Sequence, residues 1–373
     1  MPKVSIIIPC YNAERYLADT VQSALAQTMG DIEVICVDNN STDGTPKILK
    51  ELARQDHRIV LAKESEPGEG PTRDHGRALA SGEWLYFLDS DDIMEPTLLE
   101  HAMHQGEQDD SDIVIFRTTY LDDKTSERRP CPECFDTSWI RNWADASRRV
   151  FSPADNPERI FNSFQNWVHN KLFRASFVHE HNLVFQHVKR MADILFTCRA
   201  LSETKRISLL DESLHFYRCN NQNSALYTAD ASPLDFYQAF LALRASLEDN
   251  GTWQLYHDSF VNWAEEAVAM NVYRAKSFES FAAIVDAMKS KGLARLDITN
   301  FPIEKAFVPI RHECCMRIAE KDLAEIAFHY FVLERRHMND LETQLSEIRT
   351  STTFKVGEKL VSPFAKVKDR LGK

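Results

Sequence analysis

The chain has 373 residues, 43% of them hydrophobic and 27% charged, with a formal charge of -12 and a pI near 5.6. That acidic balance excludes a general nucleic-acid binder, which needs a basic surface to displace counterions. A mean hydropathy of -0.38, with no apolar run near the roughly 18–20 residues of a membrane span, excludes a polytopic membrane protein.

The elements follow in chain order. Val4 to Pro9 is an unbroken apolar run, Ala13 to Gln27 has helical periodicity, Ile32 to Val37 is apolar again, and Thr45 to Arg54 returns to the helical pattern. This is βαβα, and strands without alternation are those covered by helices on both faces. A strand at Arg58 to Ala62, a helix opening near Pro71, and strands at Glu83 to Leu88 and Asp112 to Phe116 complete a mostly parallel, Rossmann-like α/β sheet. Residues 118–155 are irregular and rich in Asp, Arg, Pro and Ser, but carry Trp139 and Trp143, so they read as a lid or as a surface insertion packed by its own aromatics. Asn166 to Ser224 mixes short strands with a helix at Met191 to Ser202, and beyond Leu234 the pattern is helical.

Near the end, Phe331, Met338 and Leu345 share one heptad position and Leu341 and Ile348 another, with Glu334 interrupting. Such a stripe is a homodimer seam or the packed face of an ordinary helix. Residues 351–373 carry six Lys/Arg against Glu358 and Asp369, interleaved with Phe354, Leu360, Val361, Phe364, Val367 and Leu371. A basic amphipathic tail of this kind either makes peripheral contact with an anionic membrane or stays solvated. The start, Met1-Pro2-Lys3, shows no secretory pattern, and the eight cysteines form no paired framework, so reduced thiols in a cytoplasmic setting are expected. Cys131 and Cys134 have metal-ligand spacing, but no second pair follows to complete a zinc site.

Chemistry concentrates where strands end. The first runs out at Pro9, Tyr11 and Asn12, the second at Asp38 and Asn39, and ligands of doubly wound folds bind at such carboxyl edges. The strand ending in Leu88 is followed by Asp89-Ser90-Asp91-Asp92, three carboxylates within four residues. Their mutual repulsion calls for a cation, and hard oxygen ligands suit Mg²⁺ or Mn²⁺, which also bridge diphosphate oxygens.

Together these runs resemble family 2 of the inverting glycosyltransferases over residues 3 to about 225. The resemblance implies the GT-A nucleotide-diphospho-sugar transferase fold. It implies donor binding by Pro9, Tyr11, Asp38, Asn39, Arg73, Asp89, Ser90 and Arg218, with metal held by Asp89, Asp91 and Asp92. Asn39 stands where many members have Asp, and its side-chain carbonyl could accept a hydrogen bond from a pyrimidine N–H. Arg73 matches the arginine of an Arg-Asn dipeptide near the nucleotide, with Asp74 replacing the Asn. Met191-Ala-Asp-Ile-Leu-Phe196 matches the Glu-Asp helix start, giving Asp193 as general base and Ala192 in place of Glu. Val168 to Arg174 is similar to the Trp-Asn-Lys-Leu-Tyr stretch beside the acceptor, with His169 for Trp, making Asn170 and Lys171 acceptor contacts. His215 to Ser224 resembles the Tyr-Arg segment that closes over the diphosphate.

The resulting expectation is a GT-A catalytic domain over 1–230, with 1–117 as its nucleotide-sugar half and 118–230 as its acceptor half. A helical region over 231–350 and the basic tail 351–373 follow. The function it implies is transfer of a sugar from a nucleotide diphosphate donor, UDP in type, to a saccharide or lipid-linked saccharide hydroxyl with inversion, in surface polysaccharide synthesis and with Mn²⁺ or Mg²⁺. Departures at Asn39, Asp74 and Ala192 motivate an alternative, a catalytically impaired donor-binding or scaffolding protein. A nucleotidyltransferase lacks support because no Gly-rich, Lys-containing phosphate loop follows the first strand.

Overall fold

A computed structural model describes residues 2–134, 150–219 and 232–350. Trp139 and Trp143 of the expected lid or surface insertion, the close of the Tyr-Arg segment at 220–224, and the basic tail 351–373 lie outside the described residues.

The strands are β1 (Val4–Cys10), β2 (Ile32–Asp38), β3 (Ile59–Lys63), β4 (Trp84–Phe87), β5 (Ile93–Met94), β6 (Ile113–Asp122), β7 (Arg128–Pro130), β8 (Val150–Phe151), β9 (Lys171–Arg174) and β10 (Ile207–Cys219). The helices are α1 (Leu17–Leu25), α2 (Thr45–Gln55), α3 (Glu69–Leu79), α4 (Leu98–Gln108), α5 (Ala175–Glu180), α6 (Asp193–Glu203), α7 (Asp235–Asp249), α8 (Trp253–Arg274), α9 (Phe278–Ala287), α10 (Leu293–Arg295), α11 (Pro309–Glu320) and α12 (Leu323–Thr350).

One sheet runs in the order β3-β2-β1-β4-β9-β6-β10-β5, with β7 on β6 and β8 on β10. Its first half is parallel, as the βαβα pattern requires, because strands that run the same way need a helical crossover. The second half departs from the sequence expectation. β9 enters between β4 and β6 and is antiparallel to both, so β6 is not the direct neighbour of β4 and the sheet is mixed. Four residues, Lys-Leu-Phe-Arg, are too short a run for periodicity to reveal this insertion.

The core lies on both sheet faces. Val4, Ile6, Ile8, Val34 and Cys36 pack with Leu17 and Val21 of α1 and Leu49 of α2, all fully or nearly fully buried. On the opposite face α3 approaches the sheet closely at Gly76, where an added Cβ would stand 2.5 Å from Ile7 Cγ2. Only glycine permits that approach, and it sets the depth of Arg73, one turn earlier.

The chain divides by contacts at Cys315/Met316, so the boundary expected near residue 230 falls inside the first unit. Within that unit the helices are tied to the sheet half by specific bonds. Arg190 N–H donates to Asp235 Oδ2 (3.0 Å), Phe161 N–H to Ser259 Oγ (2.9 Å), and Tyr256 OH to the Ser202 carbonyl (3.1 Å). Among the described residues, no helix is long and apolar enough to cross a membrane.

Candidate active site

Register brings the strand tips together. Cys10 pairs with Asp38, Ile7 with Phe87, and the Leu88 N–H donates to the Ile7 carbonyl, so Asp38, Asn39 and Asp89 emerge along one edge. Antiparallel β9 pairs Leu172 with Tyr86 and thereby carries His169 back to the level of Asp89. β10 pairs His215 with Met94 and Phe216 with Ile93, which sets Tyr217 and Arg218 beside the Asp91–Asp92 turn.

Asp89 is the hub. Arg73 Nη2 donates to its Oδ1 at 2.6 Å, while His169 Nδ1 lies 3.4 Å from Oδ2. The Arg73 side chain is 4% exposed and also donates to Glu69 Oε2 at 3.0 Å. Burial opposes ionisation of Asp89, but the Arg73 charge and His169 outweigh it and hold the carboxyl well below the usual range. Burial likewise acts against the Arg73 cation, and the charges of Glu69, Asp89 and Asp193 reverse this and raise its pKa.

Asp193 opens α6 within electrostatic reach of Arg73. Its pKa is pushed up to about 6, first by burial and further by Glu69 and Asp89, with Arg73 opposing. The chain reaches this position through Met191, whose φ of 59° is left-handed, a conformation uncommon for a non-glycine residue and frequent at functional sites. Aromatic packing fixes the span between the two carboxylates. Phe196 of α6 stacks on Phe185 at 4.3 Å and meets Phe87, two residues before Asp89, edge-on at 5.3 Å.

The acidic cluster is resolved differently from the sequence expectation. Asp92 is fully buried: its Oδ1 accepts the Arg218 N–H at 2.8 Å and its Oδ2 lies 3.1 Å from His215 Nε2. Burial pushes its pKa up to about 7. Asp92 therefore points inward and does not join an outward-facing ligand set, which corrects its assignment as a metal ligand. Asp91 stays partly exposed at the tip of the turn. The repulsion inferred from three adjacent carboxylates is thus relieved by the protein itself, through Arg73 at one and burial against a backbone N–H at another.

Two cation placements can be tested. Asp92, His169 and His215 bring ligand atoms within 4.8 Å of one another, and among the described residues no group meets Asp92 Oδ2, His169 Nε2 or either His215 nitrogen in hydrogen-bond geometry, although all are buried. However, the two imidazoles stack at 4.4 Å with planes only 19° apart. Their lone pairs lie in nearly parallel planes and do not converge on one ion, so this inner trio does not fit a metal. Asp91 and Asp89, partly exposed oxygen donors at the sheet edge, do fit a hard cation.

Other expected residues have structural work of their own. Asn39 donates to the Glu64 and Glu66 carbonyls (3.1 and 2.7 Å) and accepts the Gly68 N–H (2.9 Å), so its amide shapes the loop before α3 and is not turned to a base. Asp38 Oδ1 accepts the Ser41 N–H at 3.2 Å, and Ser90 presents its carbonyl to Thr20. Tyr11 is 63% exposed beside the partly exposed Pro9. Arg218 donates from Nε to the Asp91 carbonyl at 2.7 Å, rests over the Tyr16 ring and lies 3.4 Å from Asp123. It clamps the Asp91–Asp92 turn. Asn170 and Lys171 are fully buried, and Lys171 Nζ donates to the Gln165 and Trp167 carbonyls and to Asn170 Oδ1, all within 2.7 Å. That corrects their expected contact with an acceptor: both lie beneath the site.

Two neighbours gave no sequence signal. Tyr16 and Asp123 look like ordinary surface residues of helix and loop, and only folding places them against Arg218, whereas Glu69 is legible as the i,i+4 helical partner of Arg73.

A parallel half-sheet joined to a mixed half, with acidic turns opening at its carboxyl edge, is the GT-A arrangement of nucleotide-sugar transferases. Residues 5–181, just under half of the chain, match the family described as Glycosyl transferase family 2. It is 29% identical over 232 residues to EpsJ, an uncharacterized glycosyltransferase of Bacillus subtilis, covering 60% of this chain and 63% of that one. To the poly(ribitol-phosphate) beta-N-acetylglucosaminyltransferase TarS of Staphylococcus aureus it is 26% identical over 259 residues, 67% of this chain and 42% of that one. The chain thus spans less than two thirds of the length of these relatives. A crystal structure of TarS 1-349 in complex with UDP-GlcNAc superposes with a TM-score of 0.67 at 20% identity, covering 91% of this chain and 92% of that one, and shows the same fold.

Proposed function

We propose that the site transfers a sugar from a UDP-type nucleotide donor to a saccharide or lipid-linked saccharide hydroxyl, with inversion, in the synthesis of a surface polysaccharide. The observation that carries this reading is the pairing of Asp89, held ionised by Arg73, with Asp193, a buried carboxyl that feels the same arginine and is poised at about 6. A base whose pKa lies near working pH is suited to removing a hydroxyl proton as that oxygen attacks. In this reading Asp193 receives the acceptor proton, the acceptor oxygen bonds to the anomeric carbon from the face opposite the donor, and the nucleoside diphosphate departs with the bonding pair. Arg73 keeps Asp89 charged and fixed, and Arg218 holds the Asp91 turn in place. Asp89 and Asp91 would hold Mg²⁺ or Mn²⁺, which when bound neutralises charge on the diphosphate.

The choice of UDP rests on the likeness to TarS, whose structure holds UDP-GlcNAc. The scaffolding alternative gains nothing from the three departures. Asp74 accepts the Phe185 N–H and pairs with Arg77, Asn39 shapes a loop, and Ala192 packs against Gly70, so each has a structural use that leaves the Asp89–Arg73–Asp193 group assembled. The test measures UDP release from UDP-GlcNAc, UDP-glucose and UDP-galactose with an added saccharide acceptor mixture, alongside melting with UDP, GDP and dTDP. Stabilisation by UDP and acceptor-stimulated release support the reading. Preference for another nucleotide overturns the donor assignment, and nucleotide binding without turnover on any acceptor favours the scaffold.

A further inference from the structure

From Glu334 to Thr350, α12 contains four apolar residues, Met338, Leu341, Leu345 and Ile348, spaced three, four and three apart. Every apolar residue of that stretch therefore falls on the two seam positions of a heptad, with Phe331 one position earlier in the same register. From Glu334 to Glu347 every residue is exposed, the seam included: Met338 is 49% exposed, Leu341 44% and Leu345 46%. A helix solvated round its whole circumference is marginal in water, and a clean apolar stripe on it is a face made for another helix.

We propose that this stripe pairs with the same stripe of a second copy of the chain, in antiparallel orientation. Charge decides both the occupant and the direction. Arg335 and Glu342 flank the seam, and neither has an opposite charge three or four residues away in its own helix. When Met338 of one copy faces Leu341 of the other in antiparallel alignment, Arg335 of each copy falls opposite Glu342 of the other, twice by symmetry. A parallel, in-register pair would instead set the two Glu334 carboxylates against each other in the seam and leave Arg335 opposite Tyr330. The complementarity is of the segment with itself, which a partner of unrelated sequence would not require. The seam from Phe331 to Ile348 runs roughly 27 Å at 1.5 Å per residue. This association is independent of the transfer reaction.

The experiment is sedimentation of the full chain across a concentration series. A dimer whose dissociation constant rises about tenfold in Arg335→Glu and in Glu342→Arg, and returns to near the parent value when both changes are combined, is the expected result. Met338→Glu with Leu341→Glu and Leu345→Glu should give a monomer that keeps the parent's stabilisation by UDP, which separates lost association from misfolding. A monomer at all concentrations, or a dimer that the triple variant leaves intact, overturns the proposal. Single charge reversals that the combination does not rescue overturn the antiparallel arrangement.

Discussion

Burial moves two ionisable groups of this site in opposite senses, the Asp193 carboxyl up to about 6 and the Lys171 ammonium down to about 7. As a base, Asp193 must be ionised, so kcat should fall as pH drops through about 6 and level off above it. In Asp193→Asn that acid limb should vanish and kcat should fall by about 10²–10⁴, with UDP-induced stabilisation retained; an unchanged kcat would dismiss Asp193 as the base. Lys171 acts through others. Its ammonium ties the Gln165 and Trp167 carbonyls into the turn that presents His169 to Asp89. Lys171→Met should cost about 2–3 kcal/mol by leaving those acceptors buried and unmet, seen as a lower Tm. The sign of its pH dependence also follows. The unfolded chain holds a proton on this lysine up to its ordinary 10.5 and the fold only to about 7, so the unfolded state binds more protons in that window. Stability should therefore rise with pH through it, and this component should be absent from the Met variant.

At the scale of elements, the distance between Asp89 and Asp193 is a packing quantity. Phe87 of β4, Phe185 and Phe196 of α6 form one buried aromatic group whose members lie 4.3–5.3 Å apart. Phe196→Ala should destabilise the protein by about 3–5 kcal/mol and lower kcat more than it weakens donor binding, because the cavity loosens α6 relative to β4. The beginning of α3 is constrained as tightly. A Cβ at Gly70 would run into the Gln186 carbonyl and approach the Ala192 Cβ to 3.5 Å. Gly70→Ala should push the 186–192 segment away from α3, with a lower Tm and a kcat loss in the same direction as Phe196→Ala; an unchanged Tm would show that the segment yields freely. The same contact explains the small residue at 192, since a longer side chain there would meet α3.

At the scale of the whole molecule, cation dependence distinguishes the two acidic environments. Chelation should abolish acceptor-stimulated UDP release, and Mn²⁺ or Mg²⁺ should restore it. Asp91→Asn should raise the metal concentration needed, whereas Asp92→Asn should act mainly on stability because that carboxyl is buried against the Arg218 N–H and His215. Local pattern was enough to read the parallel half of the sheet, the acidic turn at Asp89–Asp92 and the aspartate opening a helix at 193, because periodicity, turn chemistry and charge clustering are carried by neighbours in sequence. It could not show that β9 inserts antiparallel, that α7 to α10 fall in the same unit as the sheet, or that Asn39, Asn170 and Lys171 turn inward. Those outcomes depend on which distant backbone groups need a partner once the core closes. The sequence by itself determined which residue types stand at the strand tips. Tertiary structure alone decided which of them face solvent, since burial and the approach of Arg73, His169 and Arg218 arise from segments 16 to 127 residues away.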